Sequence, residues 1–542
     1  MPNPLNLLTG SIIAVCLCAC TKVSQQGTKT YLVHSGEDLT TVVNLRREYN
    51  EFILEGGTYS AYCGKPVFRD NIIIRRMDST AEVRITDPMQ LFGDNNILDG
   101  LTWDGDLNEN IRESDPATLA ISGRNNLIRN CTFRNMRMTG HGTRCIAIGR
   151  RETEGQFTDM VANNNTIESC TFFNWGLRGE PKNSTESSTC ISVGEENDKG
   201  KFTGTVIRNN TFTEGPYQEY GYNAAIKVFN STTIENNTFY KGQECLEIKY
   251  GNSTIKGNTI HHFSGYNILA NRLGKNNLYE NNVVYDVKPT DKTSSSQGIM
   301  IWEAGNTVYR NNLVYSCAKA GLINGKQTAN SSLLQFVLIE NNTFIGNATG
   351  FNFSNLNGSP RHVIFDKNIF CGDHSTYRMY MLSGFDPASI ENFSDNLYYN
   401  NILPGNDSTS IVADPEFNNA SANNYALQPN SPACGLGAIP CATYTAVQTT
   451  TTISDPGRNV VIYPTRNKYI FHVGLVGLDV IPQQLEIIDA NGKVLIDRAY
   501  QDLAPAGLKV IDNIDMSGNP AARYILKIIT NSGAIIKQIT IG

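Results

Sequence analysis

From residue 127 onward the chain repeats one pattern of apolar and polar positions. An apolar pair, a charged or polar residue, an asparagine-rich turn and a threonine–aromatic pair follow one another in Leu127-Ile-Arg-Asn-Cys-Thr-Phe133. The same unit returns at 166–172, 206–212, 233–239, 254–260, 278–284, 308–314, 338–344 and 364–370. From Asn210 the turn asparagine recurs at spacings of 27, 21, 24, 30, 30 and 26 residues. A period of roughly 20 to 30 residues with β-branched strands predicts a β-solenoid. Asparagine suits the bends because it tolerates the left-handed conformation, and stacked asparagines can bond along a ladder. A leucine-rich repeat lacks its leucine spacing here, and a propeller would need a longer unit of four strands.

A second strand follows each unit, at 145–148, 190–193, 225–228, 245–248, 267–270, 298–301 and 321–324. Alternation with period 2 puts Ile226, Val228, Leu246 and Ile248 inside. Lys227, Glu247 and Lys249 then point outward on one sheet face. Neighbouring coils of such a stack lie about 4.8 Å apart, which makes Lys227 and Glu247 neighbours. Asn271, Arg272 and Trp302 fall near the same face.

The flanks complete the organisation. Residues 30–60 read as a strand, an amphipathic helical piece and a strand ending Gly56-Gly57-Thr58-Tyr59. This looks like the N-terminal cap of a right-handed parallel β-helix. Asp414-Pro-Glu-Phe417 and 425–433 resemble the closing coil of exported β-helix proteins. A threonine run marks 442–459 as a linker. From Val460 alternating strands and the hairpin turn Asp489-Ala-Asn-Gly492 predict a small β-sandwich over 460–542. It resembles the sorting or accessory domains of exported Bacteroidetes proteins. The fold class is thus all-β: a right-handed parallel β-helix over 30–441, followed by a C-terminal β-sandwich.

Composition narrows the partners. The 542 residues are 40% hydrophobic and 18% charged, with a formal net charge of -6. No basic field points to nucleic acid, so a polyanionic substrate must meet local cations. No internal apolar run reaches the roughly 18 residues of a spanning helix. Leu7 to Ala19 reads as an export segment. Its end, Leu17-Cys18-Ala19-Cys20, resembles a bacterial lipobox, although the first eight residues carry no lysine or arginine. The expectation is a signal peptide over 1–20, a lipidated Cys20, a tether over 21–29 and an outer-membrane lipoprotein that acts as a monomer. Membrane contact is through the lipid alone. The other cysteines form no zinc-like cluster; Cys434 and Cys441 are close enough for a local disulfide, which export permits.

Serine hydrolase, P-loop, dinucleotide and zinc motifs are absent. Pectinase-like hydrolases on this scaffold pair carboxylates in successive coils. Gly140-His-Gly142 is present, but no Asp-Asp or Arg-x-Lys accompanies it in order in the neighbouring coils, and it reads as a loop. The stretch 223–272 is instead similar to the β-helical polysaccharide lyases of family 6, the chondroitinase B and alginate lyase type. Those enzymes carry an asparagine at one strand start, a glutamate pair in the next coil, a lysine base after it and an arginine beyond. This chain offers Asn223, then Glu244 and Glu247 in Glu244-Cys-Leu-Glu247, then Lys249 and Arg272. It departs in the spacing of the glutamate pair, which is one residue longer, in Lys249, which follows Glu247 by two residues where the family has a longer gap, and in Leu273, which stands where the family has histidine.

The resemblance implies β-elimination on a uronate polymer such as alginate or a glycosaminoglycan. Lys249 would take the proton and Arg272 would stabilise the developing charge. Asn223, Glu244 and Glu247 would hold Ca²⁺. Lys227, Arg150, Trp302 and Asn271 would contact the acidic polysaccharide. Two alternatives stay open: a β-helix glycoside hydrolase, and a non-catalytic glycan binder on which Lys227, Glu247 and Lys249 form a solvated ion-pair ladder. His261 and His262 follow a repeat turn and read as structural.

Overall fold

The computed structural model describes residues 28–61, 66–105, 117–136, 143–149, 162–176, 188–196, 199–216, 223–265, 268–272, 274–289, 296–302, 304–324, 335–352, 361–372, 392–400, 407–439, 441, 460–464, 470–475, 481–500, 510–520, 522–531 and 533–541. Successive coils stack into three parallel sheets, two of 14 strands and one of 10. Each repeat unit supplies a strand to the first sheet, bends, and supplies one to the second. The alternating segment that follows supplies the third sheet. Among the described residues no helix is long and apolar enough to cross a membrane.

The paired asparagines of the repeat divide two tasks. The first takes the bend: Asn209, Asn236, Asn281, Asn311 and Asn341 all have φ between 52° and 56°. The second is buried and builds the ladder. Asn237 donates its backbone N–H and its Nδ2 to Asn258 Oδ1, each at 3.0 Å, and Nδ2 also donates to the Ile207 carbonyl at 2.9 Å. The ladder runs on through Asn282, Asn312, Asn342, Asn368 and Asn396. Where the unit reads Lys-Gly-Asn, Gly257 takes the bend at φ 64°.

Inside, the aromatic of each unit stacks on its neighbour. Trp103, Phe133, Phe172, Phe212 and Phe239 follow at centroid spacings of 4.8, 5.1, 4.5 and 4.6 Å. Outside, the first sheet carries a ladder of alternating charge. Arg75, Asp99, Arg129, Glu168, Arg208, Glu235, Lys256, Glu280 and Arg310 occupy one register row.

The ends are closed as the sequence predicts. The helix Leu39–Leu45 buries Leu39 and Val43, and the Asp38 carboxylate caps it by accepting from Thr41 N at 2.7 Å. At the far end a disulfide joins Cys434 and Cys441. Residues beyond 459 form antiparallel sheets of three and four strands around a separate core that includes Phe471, Leu485, Ile514 and Leu526.

Candidate active site

The site lies on the outer face of the third sheet. Register pairs Lys227 with Glu247 and Ala224 with Glu244 across the strands Ala224–Val228 and Glu244–Ile248. The next strand, Leu269–Asn271, sets Ala270 beside Glu247 and leads into Arg272. Small Ala270 leaves room above Glu247 for long side chains from the coils on either side.

Three cations converge on the Glu247 carboxylate. Its Oε2 lies 3.0 Å from Lys227 Nζ, and its Oε1 lies 2.5 Å from Arg272 Nη1 and 3.6 Å from Lys249 Nζ. The Glu247 side chain is 1% exposed, whereas Lys227, Lys249 and Arg272 keep 16%, 17% and 37%. The cations therefore form the solvent-facing surface and the carboxylate its buried base. Burial opposes the charge on Glu247, but Lys227, Lys249 and Arg272 and the Arg272 hydrogen bond outweigh it and hold the pKa at about 2. For Lys249 the balance runs the other way. Burial lowers its pKa, Glu247 resists, and Lys227 and Arg272 lower it further.

Aromatic rings fix two of the cations. Lys249 Nζ sits 5.2 Å from the centroid of the Phe229 ring, and the Arg272 guanidinium lies 5.3 Å from that of Trp302. Phe229 was not singled out in the sequence. It follows a strand in the coil before Lys249, and only the stacking order puts it beneath the lysine.

The structure unites Lys227, Glu247, Lys249, Arg272 and Trp302 and separates others from them. Asn271 is an interior residue: it is fully buried, accepts from Gly274 N at 2.8 Å and donates to Gly274 O at 3.2 Å. Its register partners Ile248 and Ile301 are core residues, so it does not face a substrate. Asn223 is also fully buried; its Oδ1 accepts from Ser188 Oγ at 2.6 Å and its Nδ2 donates to Gln243 at 2.9 Å. Strict alternation would turn Glu244 inward. Instead Cys245 and Leu246 both enter the core, which breaks the alternation and carries Glu244 to the same side as Glu247. Arg150, Leu273, Gly140-His-Gly142 and Cys20 lie outside the described residues.

Two of the three donors proposed for Ca²⁺ are already engaged. Glu247 is already neutralised by three cations, and the Asn223 oxygen is taken by Ser188. Among the described residues no group of three or more His, Cys, Asp or Glu side chains could hold a metal ion.

The right-handed β-helix region family matches residues 224–380. No curated protein sequence matches the chain. Solved structures share its architecture, among them two family 6 lyases. One is a family 6 alginate lyase in complex with a trisaccharide, 16% identical, with a TM-score of 0.51, covering 76% of this chain and 92% of that one. The other is a mannuronic acid-specific family 6 polysaccharide lyase from human gut microbiota, 15% identical, with a TM-score of 0.50, covering 73% of this chain and 94% of that one. The likeness establishes that the chain carries the right-handed parallel β-helix fold of these structures.

Proposed function

We propose that the chain is a polysaccharide lyase that cleaves a uronate-containing polymer, alginate or a glycosaminoglycan, by β-elimination. The observation that carries this reading is the trio of cations anchored on buried Glu247. A uronate C5 proton becomes acidic only when the adjoining carboxylate is neutralised. Arg272 and Lys227 supply that positive charge from the solvent side, without a metal step. Lys249, its pKa lowered, takes the C5 proton on Nζ. The C–H electrons form the C4–C5 double bond, the C4–O bond breaks, and the leaving oxygen takes a proton from solvent water. The family 6 lyases that share the fold are named for the same chemistry.

A glycoside hydrolase is less well served. It needs one carboxyl kept protonated as the acid, and Glu247 is held at about 2. The reading includes export as a lipoprotein anchored through Cys20, action as a monomer, and a sorting or accessory role for the C-terminal sandwich.

The test is the ultraviolet absorbance of the unsaturated uronate on alginate, chondroitin sulfate, dermatan sulfate and pectate. A rise on one polymer, reduced by a factor of about 10² or more in Lys249→Ala, is the expected result. Chelator leaves the rate unchanged on this reading. Release of reducing sugar without that absorbance would overturn it.

A further inference from the structure

Backbone hydrogen bonds extend the third sheet by one position beyond its strands and create a second outer lane. In it Phe92 N donates to Val67 O, Ser122 N to Leu91 O, Gly149 N to Ile121 O and Gly194 N to Ile148 O. The lane continues through Phe229, Lys249, Arg272 and Trp302, whose N–H groups bond in the same way. The parallel bridge between Val67 and Leu91 adds Phe68 at its start. Phe68 and Lys249 therefore occupy equivalent positions six coils apart, about 29 Å at ~4.8 Å per coil.

The side chains along this path are unevenly distributed. Phe68 is 58% exposed and meets the Phe92 ring edge to face at 5.5 Å. Phe68 belongs to none of the hydrophobic cores, so its apolar face is left to solvent at a cost that packing does not offset. Between Phe92 and Phe229 the lane carries only Ser122, Gly149 and Gly194. The adjacent outer row is equally small there, with Ala120, Ala147 and Ser192 in register. Within these two rows no side chain between Phe92 and Phe229 is longer than a hydroxymethyl, although Arg144 of the strand Thr143–Ile148 reaches over to Glu195, next to Gly194, at 3.2 Å.

We propose that Phe68, with Phe92 behind it, is a remote stacking platform for distal sugar units of the same polysaccharide whose cleavage is assigned to Lys249. The occupant follows from continuity: one lane joins the exposed ring to the cation cluster, and an extended glycan has a ring face with apolar C–H groups to lay on it. The inference rests on the proposed function, and it adds a chain-length dependence which the cation cluster alone does not require.

The experiment compares Phe68→Ala and Phe68→Tyr with the wild type on polymeric alginate and chondroitin sulfate and on the tetrasaccharide of each. Phe68→Ala is expected to raise KM about fivefold on the cleaved polymer, with kcat and tetrasaccharide cleavage unchanged and Phe68→Tyr like the wild type. An equal loss on polymer and tetrasaccharide, or none on the polymer, overturns the platform. Should the wild type cleave neither polymer, retardation of the three proteins in native gels containing the same polymers takes over. Loss of retardation in Phe68→Ala then sustains the platform while the lyase reading falls. Equal migration of all three overturns it.

Discussion

At the scale of single residues, Glu247 is a counter-ion first. Its folded pKa is depressed from 4.5 to about 2, so its ionisation stabilises the fold above about 4.5, and that stability is lost as pH falls towards about 2. Glu247→Gln leaves three cations without their common partner and should cost about 3 kcal/mol near neutral pH. The gap between wild type and variant should close across that acid window; thermal melts at a series of pH values measure it, and a constant gap would show that the carboxylate is not the anchor. Phe229 acts on the neighbouring lysine. Its ring favours the ammonium form, so Phe229→Leu should lower the Lys249 pKa further and move the acid limb of the pH–rate profile to lower pH. A merely structural role would reduce activity without moving the limb. Lys227, Glu247, Lys249 and Arg272 were legible in the sequence because a stacked sheet does not need them at those positions. Asn271 was misplaced by the same logic, and the side on which Glu244 stands was not legible from it. Alternation alone does not reveal that Cys245 and Leu246 both turn inward, nor that Asn271 closes a turn.

At the scale of the element, the asparagine ladder explains how a coil of short strands holds its register. Each strand of the repeat is only three or four residues for most of the stack, too short to be fixed by its own ladder bonds. From Asn210 onward a buried asparagine beside the bend links each coil to its neighbours. Asn282 accepts from Asn258 N and Nδ2 and donates to the Ile255 carbonyl at 2.9 Å. Asn282→Ala would strand these buried groups and should cost about 2–4 kcal/mol, read from denaturant midpoints. Asn281→Ala, which loses only a tolerated left-handed bend, should cost about 1–2 kcal/mol. Equal effects would mean that the two asparagines share one role. The Asn-Asn signature was plain in the sequence; which member bends and which bonds was not, since both belong to one residue type and differ only in the direction the backbone turns them.

At the scale of the whole molecule, two hydrophobic cores divide the chain. One runs without a break from Val33 to Tyr398 through every coil, and the other lies among 460–541. The first sheet meets the C-terminal sandwich through a hydrogen bond from Asn306 Nδ2 to the Leu475 carbonyl. There too its alternating charge fails: Glu340 stands beside Asp366 in register. Burial raises the Glu340 pKa, and Arg310, with Lys537 of the sandwich, acts to lower it. The sandwich therefore covers an acidic break on the first sheet, while the cation cluster sits on the third. A chain ending at Cys441 keeps the whole β-helix core and its closing disulfide. It should unfold cooperatively on its own and cleave soluble polymer within about twofold of the full chain, because domains with separate cores fold separately. Its melting temperature should fall at neutral pH, where Glu340 stands beside Asp366 without Lys537, and recover relative to the full chain as acid protonates Glu340. Loss of cleavage in a truncated chain that still melts cooperatively would show instead that the sandwich supports the third sheet through the first.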